Sequence, residues 1–125
     1  MKRLLLILLL LPILYGCSVA FDYSDFPEIT LSDPNQQLTQ PESVYYLYFF
    51  ELDCPACNSV KQEVLSKIES LRNDKVYLCE VVVYGSINSN ISVNYIPAIV
   101  RIVNNEVDAV YEKTSGVIPI IETLS

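Results

Sequence analysis

The chain alternates between long apolar runs and short polar breaks, and the spacing within each run changes from segment to segment. Leu4 to Leu14 is almost entirely Leu and Ile. Ile29-Thr30-Leu31 predicts a short strand, and Asp33-Pro34 reads as an N-cap followed by Pro at the first helical position, opening a short helix to about Thr39. Val44 to Phe50 (VYYLYFF) is continuously apolar and aromatic, as expected of a central strand buried on both faces. From Pro55 the period changes. Cys57, Val60, Val64, Ile68 and Leu71 fall on one helical stripe, with Lys61, Lys67 and Arg72 off it, and Asn73-Asp74 ends the helix. Val76 to Val83 predicts a second buried strand, and Tyr84 to Tyr95, rich in Asn and Ser, a loop with room for one helical turn. Ala98 to Val103 and Glu106 to Tyr111 are strands joined by Asn104-Asn105, a two-residue hairpin signal because Asn tolerates positive φ. Gly116 breaks the chain, and Pro119 to Leu124 predicts a short terminal helix. The expected order is β-α-β-α-β, then a β-hairpin and a helix, with no internal repeat.

Composition narrows the chemistry. At 125 residues, 51% hydrophobic and 18% charged, the chain is long enough for one domain with a real core. Eight basic against 15 acidic residues give a net charge of −7, which argues against nucleic acid and against electrostatic capture by anionic lipid. There is no His, which excludes His-based acid–base chemistry and His-ligated metals. The four Cys are not spaced as a disulfide framework: Cys54 and Cys57 form one CxxC, Cys17 stands alone, and Cys79 lies inside an apolar run. A zinc site would want a second Cys pair, and the chain has none, so no metal ligand set is expected.

The first segment reads as targeting. Met1-Lys2-Arg3 is a basic head, and the eleven residues Leu4 to Leu14 are too few for a transmembrane helix, which needs about 20, but suit a secretory h-region. They lead into Leu14-Tyr15-Gly16-Cys17, which resembles the bacterial lipobox, although Tyr15 is bulkier than the usual residue there. The resemblance implies cleavage before Cys17 and a diacylglycerol on its sulfur. The alternatives are an uncleaved anchor running to about Phe21, or an ordinary signal peptide with a chance Cys. The chain is accordingly divided into a lipoprotein signal peptide (1–16), an acylated Cys with an acidic tether (17–28) and a folded domain (29–125). Loss of residues 1–16 removes Lys2 and Arg3 and leaves six basic against 15 acidic residues, net −9, so the mature chain would need a covalent anchor to stay at an anionic surface. Fully extended, Ser18 to Glu28 would reach about 35 Å. Phe21, Tyr23 and Phe26 are the residues of this stretch able to dock onto the domain or the bilayer interface.

The CxxC falls at a strand-to-helix junction, Glu51-Leu52-Asp53 leading into Cys54-Pro55-Ala56-Cys57. A thiolate in the first turn of a helix is stabilised by unpaired backbone N–H groups and by the positive end of the helix dipole. Two intervening residues let the second sulfur close a disulfide within one turn. Cys54 is then the exposed nucleophile and Cys57, one turn deeper, the resolving thiol that releases a mixed disulfide.

At this point the sequence resembles the thioredoxin-like superfamily from about residue 29 to the C-terminus. The resemblance rests on the CxxC after a hydrophobic strand, on Tyr95-Ile96-Pro97 and on the Val103-Asn104-Asn105-Glu106-Val107 hairpin. It implies a thioredoxin-like α/β fold, a central mixed β-sheet flanked by helices. It also implies that Pro97 is a cis-proline packed against the disulfide and that the backbone of Ile96 pairs with an extended substrate peptide. Gly116 fits a Gly found shortly before the family's last helix. Asp53 stands where the family has an aromatic, and Tyr48 where thioredoxins carry a buried acid. Each residue also has a plainer reading. The CxxC could be a permanent structural disulfide, Pro97 a trans turn proline, Cys79 an inert core thiol, Glu51 and Asp53 solvated rim charges, and the Tyr-rich strand core.

The sequence is therefore expected to encode a lipid-anchored thiol–disulfide oxidoreductase on the extracytoplasmic face of the cell membrane, reducing or isomerising disulfides of exported proteins. It would use no cofactor beyond its own disulfide. Its partners would be exported Cys-containing proteins or peptides and a membrane redox donor or acceptor, with no nucleic acid. Two other readings stand beside it: a non-catalytic binding or assembly lipoprotein of the same fold, and an accessory protein for export of a disulfide-containing peptide of the bacteriocin type.

Overall fold

A computed structural model describes residues 20–81 and 91–125. The expected signal peptide, Cys17, the first residues of the tether and most of the expected 84–95 loop lie outside the described residues. Four strands and two helices form the body: β1 (Val44–Phe50), α1 (Pro55–Ser70), β2 (Val76–Glu80), β3 (Ala98–Val103), β4 (Glu106–Glu112) and α2 (Lys113–Thr123). The sheet order is β2-β1-β3-β4, with β1 parallel to β2 and antiparallel to β3, and β3 antiparallel to β4. The sheet is thus mixed, and the apolar run Val44–Phe50 is central, as its lack of alternation requires. Tyr45, Leu47 and Phe49 project to one face and Tyr48 and Phe50 to the other, and all five are buried.

The periodicity of α1 holds. Cys57, Val60, Val64 and Ile68 are its buried stripe, joined by Leu65. Asn104 and Asn105 adopt φ of 51° and 62°, the left-handed pair that a two-residue hairpin needs.

Four segments differ from expectation. The helix expected from Pro34 to Thr39 is a single 3-10 turn, Pro34–Gln36, capped by Asp33, and the strand expected at 29–31 is one parallel bridge from Thr30 to Leu78. The chain here is diverted to cover the sheet, for the Gln37 carbonyl accepts a 2.8 Å hydrogen bond from the Tyr45 hydroxyl. The terminal helix starts at Lys113 instead of Pro119 and contains both Gly116 and Pro119. Burial of Val117 and Ile121 outweighs the hydrogen bond that Pro119 cannot donate. Gly116 does not break the chain but lets α2 approach β4, because a Cβ there would sit 3.2 Å from the Tyr111 carbonyl carbon.

The fourth difference is at the amino-terminal side. Phe21 to Glu28, read as tether, lies against the domain through its aromatic residues. Two 3-10 turns, Tyr23–Asp25 and Pro27–Ile29, bury Tyr23, Phe26 and Ile29. Gln62 of α1 grips the Phe21 backbone at both ends, its carbonyl oxygen accepting from the N–H at 2.8 Å and its amide donating to the carbonyl at 2.7 Å. Lys61 pairs with Asp22 at 3.4 Å.

Candidate active site

Cys54 is the N-cap of α1, and Pro55 occupies the first helical position, where a missing N–H costs nothing. The Cys57 N–H donates to the Cys54 sulfur at 3.1 Å, so an orphan donor of the first turn points at the atom that would carry thiolate charge. Cys54 and Cys57 are disulfide-bonded, with Cα atoms 5.2 Å apart. Cys57 is fully buried, whereas Cys54 is partly exposed. That difference separates an outer sulfur a partner can reach from an inner one it cannot. The approach to Cys54 is held by its N–H donating to the Glu51 carbonyl at 3.3 Å and by the Asn58 amide donating to the Leu52 carbonyl at 3.2 Å.

Sheet register brings the second motif to the same place. Phe49 pairs with Ala98, so the exit of β1 toward Cys54 and the entry to β3 from Ile96-Pro97 share one end of the sheet. The Ile96–Pro97 peptide is cis, Pro97 is buried and Ile96 partly so. Ala98 also pairs with Glu112, which brings the β4–α2 junction alongside, and the Lys113 N–H donates to the Pro97 carbonyl at 2.8 Å. The four residues expected to act at this site, Cys54, Cys57, Ile96 and Pro97, are therefore at one end of one sheet. Cys17 lies outside the described residues.

The remaining candidates take structural roles. Cys79 is 1% exposed on β2, and burial pushes its thiol up to about 12, so it stays protonated in the folded chain. Tyr48 is fully buried, with its hydroxyl close to that of Tyr23, and neither hydroxyl has a hydrogen-bond partner of good geometry. Burial holds both phenols above their ordinary values, so neither supplies a proton in the way a buried acid would. Glu51 is partly exposed and Asp53 exposed beside Cys54. Among the described residues no cluster of three or more His, Cys, Asp or Glu could hold a metal ion, and no helix is long and apolar enough to cross a membrane.

Two features of this end belong to no sequence motif. A cleft of about 510 Å³ opens between the amino-terminal segment and the ends of β1 and β2, lined among others by Tyr23, Phe50, Leu52 and Glu80. On the other side, the Lys113 ammonium lies 4.3 Å above the Tyr95 ring. The only sequence cue to either was adjacency: Leu52 is two residues before Cys54, and Tyr95 two before Pro97.

The sequence matches no protein-family model and no curated protein. The fold does have neighbours among solved structures. A thioredoxin from Malassezia sympodialis superposes with a TM-score of 0.58 at 20% identity, covering 76% of this chain and 88% of that one. A mutant thioredoxin from Halobacterium salinarum gives 0.59 at 15% identity, covering 78% and 89%. Thioredoxin f2 of Chlamydomonas reinhardtii gives 0.57 at 12% identity, covering 75% and 93%. The chain has the thioredoxin-like fold.

Proposed function

We propose that the protein is a thiol–disulfide oxidoreductase held by a lipid at the extracytoplasmic membrane face, where it reduces or isomerises disulfides of exported proteins. The observation that carries the exchange reading is the helix-start pair: a partly exposed Cys54 sulfur faced by the Cys57 N–H, with Cys57 buried behind it. In the reduced protein, the Cys54 thiolate attacks one sulfur of a substrate disulfide. A Cys54–substrate disulfide forms, and the other substrate sulfur leaves as thiolate. Cys57 then loses its proton to solvent and attacks the Cys54 sulfur, freeing the first substrate sulfur. Two electrons have passed to the substrate, and the Cys54–Cys57 disulfide needs an external dithiol donor to be reset. In isomerisation a different substrate thiolate attacks the Cys54–substrate disulfide, closing a new substrate disulfide and releasing Cys54 as thiolate, with no net electron flow.

The anchor rests on the leader and on Cys17. Because Phe21 is gripped by Gln62, only four peptide steps separate Cys17 from the docked chain, about 14 Å at full extension. That is far less than the reach of a free 18–28 tether, and it would hold the docking point of Phe21 on α1 close to the bilayer.

Cysteine variants test the exchange reading. Cys54→Ser should abolish insulin reduction by dithiothreitol-coupled turnover, and Cys57→Ser should accumulate mixed disulfides through Cys54. An active Cys54→Ser protein would overturn the assignment. Mass spectrometry tests the anchor separately: membrane-extracted protein should begin at a diacylglyceryl-modified Cys17, and a mature chain retaining Met1 would exclude it.

A further inference from the structure

Five large apolar side chains are exposed among the described residues, and the two most exposed, Tyr95 at 56% and Leu52 at 53%, stand at the disulfide end of the sheet. The other three, Val44, Val107 and Val110, lie at the start of β1, next to the hairpin and in mid-β4. Single exposed hydrophobics are ordinary, so exposure alone decides nothing. What distinguishes Tyr95 and Leu52 is that each projects from a backbone fixed by its neighbours. Asn94 donates its N–H to the Glu112 carboxylate at 2.6 Å, and Lys113 donates its N–H to the Pro97 carbonyl. Lys113 then sets its ammonium over the Tyr95 ring at 4.3 Å. Lys113 itself, at the junction of β4 and α2, adopts φ of 66°, a left-handed conformation that a side chain other than Gly or Asn rarely takes. Strained backbone persists where surrounding contacts hold it, and here the Lys113 N–H bond to Pro97 and its ammonium over Tyr95 are two of them. Leu52 is held through its carbonyl by Asn58 while its side chain faces the cleft beside Phe50.

The geometry points to Tyr95 and Leu52 as the residues that select the substrate, an extended peptide with large apolar side chains on both sides of its cysteine. Leu52 follows β1 and Tyr95 precedes β3, and these strands are neighbours, so both residues stand with Cys54 at one end of the sheet. A peptide laid along Ile96 with its cysteine at Cys54 would place one flanking side chain on the Tyr95 ring and the other on Leu52. Both contacts are already in place, so little ordering entropy is lost on binding. Lys113 is a positioning residue that acts through the ring. The choice of a cysteine peptide rests on the exchange reading above, while the apolar docking does not.

Two glutathionylated peptides test this, one with Leu and one with Ser on both sides of the cysteine. The wild-type protein should favour the Leu peptide by about tenfold in kcat/KM, the scale of two half-buried apolar contacts. Tyr95→Ala and Leu52→Ser should each cut that preference about threefold, chiefly through KM, and the double variant should abolish it. Lys113→Gln should lose part of the preference and Lys113→Arg restore it, since a guanidinium also stacks on a ring. Equal kcat/KM for the two peptides, or a preference that survives the double variant, would overturn the proposal. A labelled Leu-flanked peptide with Ser in place of its cysteine separates docking from exchange. If neither glutathionylated peptide turns over yet this one binds and loses affinity in Tyr95→Ala, the docking surface stands and the exchange reading falls. If it shows no Tyr95-dependent binding, the docking surface falls.

Discussion

Tyr23 lies flat on Phe50, with ring centroids 3.7 Å apart and planes within 10°. Phe50 is the last residue of the strand that leads to Cys54, and its ring also lies 5.9 Å from that of Tyr48. The amino-terminal segment is thereby part of the core beneath the reactive end. Truncating a buried aromatic to Ala typically costs about 3–5 kcal/mol, and Tyr23→Ala should fall near the lower figure because half the stack remains. Urea denaturation measures it. A loss below about 1 kcal/mol would show that the segment rests on the domain without stabilising it.

The buried phenols and the free thiol predict sensitivity to alkali. Burial, the first cause in each case, raises Tyr23, Tyr45, Tyr48, Tyr77 and Cys79 above their ordinary values, and the Glu42 carboxylate that accepts from the Tyr77 hydroxyl at 2.9 Å adds to the shift at Tyr77. Above pH 9 to 10, where the ordinary values of 9.0 for Cys and 10.0 for Tyr lie, the unfolded chain sheds these protons and the folded chain keeps them. The folded state then binds more protons, so stability is complete below that range and falls as pH rises through it. The urea midpoint should be level in this respect from pH 7 to 8.5 and drop steadily to pH 11. A midpoint that holds to pH 11 would mean the phenols ionise freely.

Asp53 and Glu51 oppose the helix start at Cys54. Negative charge nearby disfavours a thiolate, so these acids should hold the Cys54 pKa above that of the strongest oxidases. In the reduced protein, the Asp53→Asn, Glu51→Gln double variant should speed Cys54 alkylation at pH 6 by about two- to threefold. The gain should shrink in high salt, where exposed charges are screened. Equal rates in low salt would leave the helix dipole and the Cys57 N–H as the sole controls. Cys79, buried and protonated, should label only when the protein unfolds.

What could be read beforehand follows from how local the signal is. The unbroken run VYYLYFF, the stripe beginning at Cys57 and the Asn104-Asn105 turn each state their structure within a few residues, and β1, α1 and the hairpin agree with them. The placement of Cys54 at a helix start follows from Pro55 alone. In the amino-terminal segment the three aromatics able to dock are legible but their path is not, because Phe21, Tyr23 and Phe26 sit among Asp22, Asp25 and Glu28, a pattern with neither helical nor strand period. Tyr23 finds its place on Phe50, and Phe21 and Phe26 pack against each other. α2 was foreshortened because Gly116 and Pro119 are breakers in isolation, and their positions become sensible only when β4 lies 3.2 Å from the missing Cβ. Tyr95 and Lys113 are eighteen residues apart in sequence and meet only through the β3–β4 register.

Whether Cys54–Cys57 is a working redox couple is decided by its reduction potential. Purified protein is equilibrated in graded glutathione buffers, quenched with acid, and its free thiols are counted against the constant contribution of Cys79. With local acids restraining the Cys54 thiolate, the pair should interconvert with a potential between about −270 and −180 mV, the range from thioredoxin to protein disulfide isomerase. A pair that stays oxidised below about −300 mV, as structural disulfides do, would contradict the account.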